Sequence, residues 1–140
     1  MEKGATASLT HELWIDLSLP LPTIQANVRK SFRPLISKGL KLWKPSFAFG
    51  AISAEEFEEF RQLHIQVAGR ETRSAHTWNI QREMIANRKA FLVSLRDQEN
   101  TLVGGGLFHL SSTEAFYGVG VYRRDLFDLP LGHLVQAKAI

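Results

Sequence analysis

The chain has 140 residues, of which 44% are hydrophobic and 22% charged, so it can bury one substantial core and has the composition of an ordinary folded domain. It contains no cysteine, which excludes disulfides, thiolate metal ligands and a thiol nucleophile. The net charge is +3, yet the stretch from Leu17 to Ala54 holds Arg29, Lys30, Arg33, Lys38, Lys41 and Lys44 and no acid, which leaves +6 there and −3 elsewhere. Such a patch suits phosphate groups, nucleic acid or an anionic membrane surface, and equally a solvated helix face. The opening MEKGATASLTHELWIDLSLPLP lacks the charged start, apolar block and cleavage site of a secretory leader. No run of about 18 apolar residues follows, and the chain reads as cytoplasmic.

In chain order, Glu12 to Ser18 alternates Leu13, Ile15 and Leu17 with other residues, which predicts a strand. A turn follows at Leu19-Pro20-Leu21-Pro22. From Thr23, Ile24, Val28, Phe32, Leu35 and Ile36 recur at helical spacing, with Pro34 predicting a kink or break and Gly39 a stop. The segment LWKPSFAFG predicts a strand that Pro45 confines to an edge. Ser53 with Glu56 three residues on is a capping box, and Phe57, Phe60, His64 and Val67 form the stripe of a helix that Gly69 ends. The loop GRETRSAHT then leads to a second helix over Ala75 to Asn87, with Trp78, Met84 and Ile85 facing inward. KAFLVSLRD, NTLVGGGLFHLS and TEAFYGVGVYR predict three antiparallel strands, and a last helix starts at Pro130. The order implies one α+β domain with helices packed on a mostly antiparallel sheet.

The chemistry in the sequence is sparse. Gly104-Gly105-Gly106 lacks the Gly-Lys-Ser/Thr ending of a phosphate loop and lies among β residues, so a bulge or close backbone approach is expected. The five histidines, at 11, 64, 76, 109 and 133, show no metal-site spacing, and His64 on its apolar stripe reads as a packed core residue. No Gly-x-Ser-x-Gly elbow is present. Gly118 and Gly120 interleave with Tyr117, Val119, Val121 and Tyr122, leaving one side of that strand nearly bare beside two aromatic rings. Arg123 and Arg124 follow, and the amides of the helix starting at Pro130 suit a phosphate.

The element order is similar to that of the acyl-CoA N-acyltransferase (GNAT) fold. Three segments resemble its FemAB-related branch: IDLSLPLPTIQANVRKSFRPLISKG, FRQLHIQVAGRETRSAHTWNIQ and YGVGVYRRDLFDLPLGH. The resemblance covers roughly residues 12 to 140. It implies a GNAT-like half-domain that transfers an acyl or aminoacyl group to an amine, as peptidoglycan-bridge peptidyltransferases do, with acyl-CoA or aminoacyl-tRNA as donor. It further implies Arg29, Lys30 and Arg33 as phosphate- or tRNA-facing cations, Arg70, Arg73 and Trp78 in an acceptor pocket, and Tyr117, Gly118, Tyr122 and Arg124 along the donor cleft. His76 and His133 are the candidate general bases.

Two departures from the family pattern accompany the likeness. The Gln/Arg-x-x-Gly-x-Gly/Ala pyrophosphate loop is missing between Arg123 and His133, which counts against acetyl-CoA. The helix and strands that continue the family fold beyond the position of Ile140 are absent, so the chain reads as a partial half-domain, truncated at its C-terminal end: the product of a truncated gene, a fragment of a larger enzyme, or a piece that pairs with itself or with a chain supplying the missing half. A non-catalytic module that binds phosphate or nucleic acid, or that depends on a partner, is the alternative.

Overall fold

In a computed structural model of the chain, residues 7–140 are described. The reading of the start as leaderless rests partly on residues 1–6, which lie outside them. The elements are α1 (Leu21–Asn27), α2 (Arg33–Leu42), β1 (Lys44–Ala48), α3 (Ala54–Ala68), α4 (Ala75–Ala86), β2 (Ala90–Arg96), β3 (Leu102–Leu110), β4 (Ala115–Tyr122), a 3-10 turn (Arg124–Leu126) and α5 (Leu131–Ala139). The four strands form one sheet in the order β1-β2-β3-β4, every neighbouring pair antiparallel. The α+β class with helices flanking an antiparallel sheet therefore stands, and β1 with its Pro45 is an edge strand as expected.

Local chemistry sets most boundaries. The Ser53 hydroxyl accepts the Glu56 amide at 3.0 Å and opens α3, while Gly69, with φ of 74°, closes it in the left-handed region. The Ser74 hydroxyl accepts the Thr77 amide and opens α4, which places His76 and Thr77 in a helical turn rather than in the preceding loop. Between β2 and β3, the Asp97 carboxylate accepts the amides of Glu99 and Thr101 around Asn100, whose φ is 66°.

Two cores lie on opposite faces of the sheet. On one, Phe57, Phe60 and Leu63 of α3 and Trp78 and Ile85 of α4 cover Leu92, Leu102, Leu107, Val119 and Val121. On the other, Leu131, Leu134 and Val135 of α5, with Trp43 and the partly buried Ile36 and Leu42, cover Val93, Leu95, Val103 and Phe108. Arg96 at the end of β2 forms a two-pronged ion pair with Glu59 of α3. The central strand β3 is buried from Leu102 to Phe108 on both faces, which is why its sequence reads as continuous apolar and glycine residues.

The glycine run meets the expectation of bulging and close approach. The β2–β3 register shifts between Leu95 and Arg96, and a Cβ at Gly105 would stand 2.7 Å from the Val93 carbonyl oxygen and 3.2 Å from the Phe60 ring.

Three expectations are corrected. Glu12 to Ser18 forms no strand: the segment has no regular secondary structure before a turn at Leu17–Leu19 and lies exposed, since alternation favours a strand only where a neighbour accepts its hydrogen bonds. The break expected at Pro34 is present but lies just before it, over residues 28–32: the predicted first helix is two helices, and Pro34 itself sits in the first turn of α2, where its missing N–H costs nothing. Gly39 does not stop α2. It is buried inside it, where a Cβ would come within 3.1 Å of Leu134 Cβ, so the missing side chain sets the α2–α5 approach.

Substituting Gly105→Ala should lower unfolding stability by about 1–3 kcal/mol, because backbone on one side and a core ring on the other leave no room for a methyl. Gly132→Ala, whose added Cβ would meet nothing nearer than 3.7 Å, should be close to neutral. Paired denaturant titrations check both.

Candidate functional site

Tyr117 and Tyr122 are five residues apart, a spacing that in a regular strand puts side chains on opposite faces. The register resolves the difference. Val119 pairs with Leu107 but Tyr117 pairs with Phe108, so Gly118 is an extra residue in β4, and the bulge moves Tyr117 onto the same face as Gly120 and Tyr122. The two hydroxyls then meet at 2.7 Å. The tyrosine ring occupies the bare side of the strand: a Cβ at Gly120 would fall 1.7 Å from the Tyr117 hydroxyl, and one at Gly106 would fall 2.9 Å from the same ring. Phe108 tilts against Tyr117 at 5.0 Å between centroids.

Tyr122 is the more buried of the pair and packs against the first turn of α5, where a Cβ on Gly132 would lie 3.7 Å from its ring. Burial, then the hydrogen bond with Tyr117 and the proximity of that group's charge, push the Tyr122 phenol far above its ordinary value. It holds its proton throughout the physiological range and can donate a hydrogen bond. Beside it, the amides of Gly132 and His133 find no acceptor among the described residues.

Of the cations expected near a donor, Arg124 is exposed in the 3-10 turn and unpaired among the described residues, whereas Arg123 is held by Asp125 through two contacts of 3.1 and 2.5 Å. The His133 ring meets the Phe32 edge at 4.8 Å, and the Arg29 guanidinium lies 5.8 Å from the Phe32 centroid, so a short aromatic chain joins the α1–α2 connection to α5. Lys30 is exposed in that connection. Arg33 is exposed and folds back on α1, donating to the carbonyls of Ala26 at 2.6 Å and Val28 at 3.2 Å, which satisfies the end of α1. Leu131, Leu134 and Val135 are buried in the core and form no exposed patch.

The remaining expected residues lie across the sheet. Trp78 is 1% exposed and belongs to the core under α3 and α4, so its ring forms a floor beneath Arg73 and no open pocket wall. Arg73 lies 5.6 Å from the Trp78 centroid and donates to His64 Nε2 at 2.9 Å, and the His64 ring meets Trp78 edge-on at 5.1 Å. Burial, and secondarily the charge of Arg73, hold His64 below its ordinary value, so the imidazole is neutral and accepts. Sequence pattern marks His64 as a packed residue but carries no sign of its bond to Arg73. Arg70 and His76 are exposed in the loop and at the start of α4. The arrangement thus places Tyr117, Tyr122 and the α5 residue His133 in one layer, with Arg29 linked to His133 through Phe32, and Arg73 and Trp78 in the layer across the sheet, while a side chain at Gly118 would point to His109; only His133 of the two candidate bases shares a layer with the tyrosines.

Among the described residues no cluster of His, Asp or Glu is arranged to hold a metal, and no helix is long and apolar enough to cross a membrane. The surface depressions are open and lie elsewhere: one of about 440 Å³ borders Ile52, Asn79, Arg82 and Glu83, and one of about 600 Å³ borders Glu55, Glu56, Glu59 and Arg96. No family model matches the chain, and no curated protein matches it.

The two tyrosines of the pair are the only ones in the chain, so an alkaline absorbance titration reads them directly. In Tyr117→Phe the one remaining phenol should stay protonated until the protein unfolds. The low value of His64 makes the folded state the weaker proton binder, so stability should be lost as pH falls through the ordinary imidazole value of 6.5. Melting temperature should fall between about pH 7 and about pH 5. His64→Gln, which keeps an acceptor for Arg73, should reduce that fall. It should not abolish it, because burial also lowers His109.

Proposed function

We propose that the domain transfers an acyl or aminoacyl group from a phosphate-bearing donor to an amine, with the donor lying over the β4–α5 face. The observation that carries this reading is the Tyr117–Tyr122 pair: a phenol that keeps its proton, hydrogen-bonded to a second hydroxyl and set against Gly132 at the start of α5. The reading is further supported by the order strand, helix, helix, three antiparallel strands, helix, which is similar to the GNAT order. The three segments that resemble the FemAB-related branch point the same way.

In this scheme the amine nitrogen attacks the acyl carbonyl carbon. The C–N bond forms, and the C–O or C–S bond to the donor breaks. The amine proton passes to a base, for which His133 is the candidate in the same layer, and the base returns it to the leaving oxygen or sulfur, while Tyr122, which keeps its own proton and has the Tyr117 hydroxyl as partner, donates a hydrogen bond to the developing oxyanion. The amides of Gly132 and His133 suit negative charge on the donor, with Arg124, Arg29 and Lys30 as longer-range cations. Arg33, held by the carbonyls of Ala26 and Val28, adds a further exposed cation beside Arg29 and Lys30. An acceptor amine approaching from the Arg70, Arg73 and His76 face would be separated from this donor face by the sheet, so the acceptor is assigned to the β4 side.

The test offers acyl-CoA and aminoacyl-tRNA separately as donors, with a lysine-containing peptide as acceptor. Tyr122→Phe should lower kcat by about 10²–10³ with little change in donor KM. The double reversal Arg29→Glu and Lys30→Glu should raise donor KM and spare kcat. Turnover unaffected by loss of the Tyr122 hydroxyl would remove the basis of the reading. A salt titration addresses the alternative of a non-catalytic module, since the acid-free basic stretch predicts nucleic-acid affinity that falls steeply with salt even where no transfer occurs.

A further inference from the structure

The segment from Glu12 to Leu17 carries a strand's alternation and has no strand partner, while β4 is an outer strand whose far edge has no neighbour among the described residues. We infer that the Glu12–Leu17 segment of one copy of this chain adds as a fifth strand along β4 of a second copy.

Three observations carry this beyond the bare existence of an exposed edge. Trp14 and Ile15 are 67% and 57% exposed and Leu13 is fully exposed, so the segment leaves in water side chains that a sheet face would cover. The two outer strands are also unlike one another. β1 is five residues long and carries Lys44 and Pro45, which discourage pairing, whereas β4 is eight residues long, has neither charge nor proline, and exposes Phe116 at 63%. Finally, charge is complementary. The segment bears Glu12 and Asp16, and β4 runs into Arg123 and Arg124, of which Arg124 has no ion pair among the described residues.

The Gly118 bulge interrupts the ladder at one point and leaves room for pairing on either side of it. Within one chain the segment makes no ladder with β4 although that edge is open, and the strand is assigned to a second copy. Two copies exchanging the same segment make a closed two-fold pair with two added strands. This inference is independent of the acyl-transfer reading: it concerns the edge of β4, and its test has no activity readout.

Because the chain has no cysteine, introduced ones report without background. Single-cysteine variants Ile15→Cys, Phe116→Cys and Arg124→Cys would be purified, mixed in pairs and treated with a bismaleimide spanning about 10 Å. At about 3.3 Å per residue the eight residues of β4 extend roughly 26 Å, so a strand lying along it brings residue 15 within reach of one end or the other. The expected result is an interchain product between Ile15→Cys and at least one β4 variant, together with a dimer mass by light scattering for the unmodified protein.

A second variant keeps the proposal falsifiable. Alternate amides of an added strand face its neighbour, so the double change Trp14→Pro and Ile15→Pro removes a needed donor in either register. It should abolish the dimer mass while leaving circular dichroism and melting of the isolated chain unchanged, since neither side chain is packed. A monomer at all concentrations, a dimer that survives the double proline change, or a cross-link confined to one chain in the Ile15→Cys/Phe116→Cys double variant would each overturn the inference.

Discussion

The rest of the structure depends on a strand that is buried on both faces and has no side chains in its middle. Gly104 to Gly106 lie at the centre of the sheet, and each missing Cβ is replaced by an atom from elsewhere: the Tyr122 ring over Gly104, the Val93 carbonyl and Phe60 at Gly105, Val135 and Tyr117 over Gly106. Since interiors pack near crystal density, these contacts bring α3 close on one side and α5 close on the other. Two separate apolar cores then form around one sheet of only four strands.

The same absence of side chains makes the tyrosine pair. A ring needs a flat floor to lie along a sheet, and Gly106 and Gly120 supply it beneath Tyr117. The bulge at Gly118 supplies the other requirement by turning Tyr117 to the side of Tyr122. What results is a phenol with little water around it, one hydroxyl partner and a helix start beside it, an environment in which losing the proton is costly and sharing it in a hydrogen bond with a neighbouring anion is favourable. The acid-free basic stretch of the α1–α2 connection, α2 and β1 lies far from the phenol in sequence, and Arg29 is joined to α5 through Phe32 and His133.

The outer strands show how differently the two edges of one sheet are finished. β1 is short and interrupted by proline, while β4 is long, uncharged and aromatic, and the strand-patterned segment before α1 remains outside the sheet. The other helical layer has a different role. Arg73, His64 and Trp78 form a compact stack there, with the histidine kept neutral by burial and by the neighbouring guanidinium, and this stack ties the loop after α3 onto the core.

Much of the architecture was legible in the residues because its causes are local. Ser53 and Glu56 open α3, Gly69 closes it, Pro45 marks an edge strand, and the three β runs after Asn87 pair in order with short turns. Glu12 to Ser18 carried an equally good strand pattern and has no strand, because periodicity describes one partner of a ladder and says nothing of whether the other is present. Gly39 looked like a helix end, and its real constraint is a leucine on α5 about a hundred residues away. The site divides in the same manner. Sequence by itself determined that two tyrosines, two glycines and a following basic turn lie on one strand and its exit, since neighbours in sequence stay neighbours in space. Only the tertiary structure decided that the two phenols face the same way, that Arg33 folds back on the end of α1, and that the sheet separates Arg73 and Trp78 from them. A one-residue bulge, a helix end in need of donors and the thickness of a buried sheet are properties of how strands and helices meet, and no single stretch of sequence contains them.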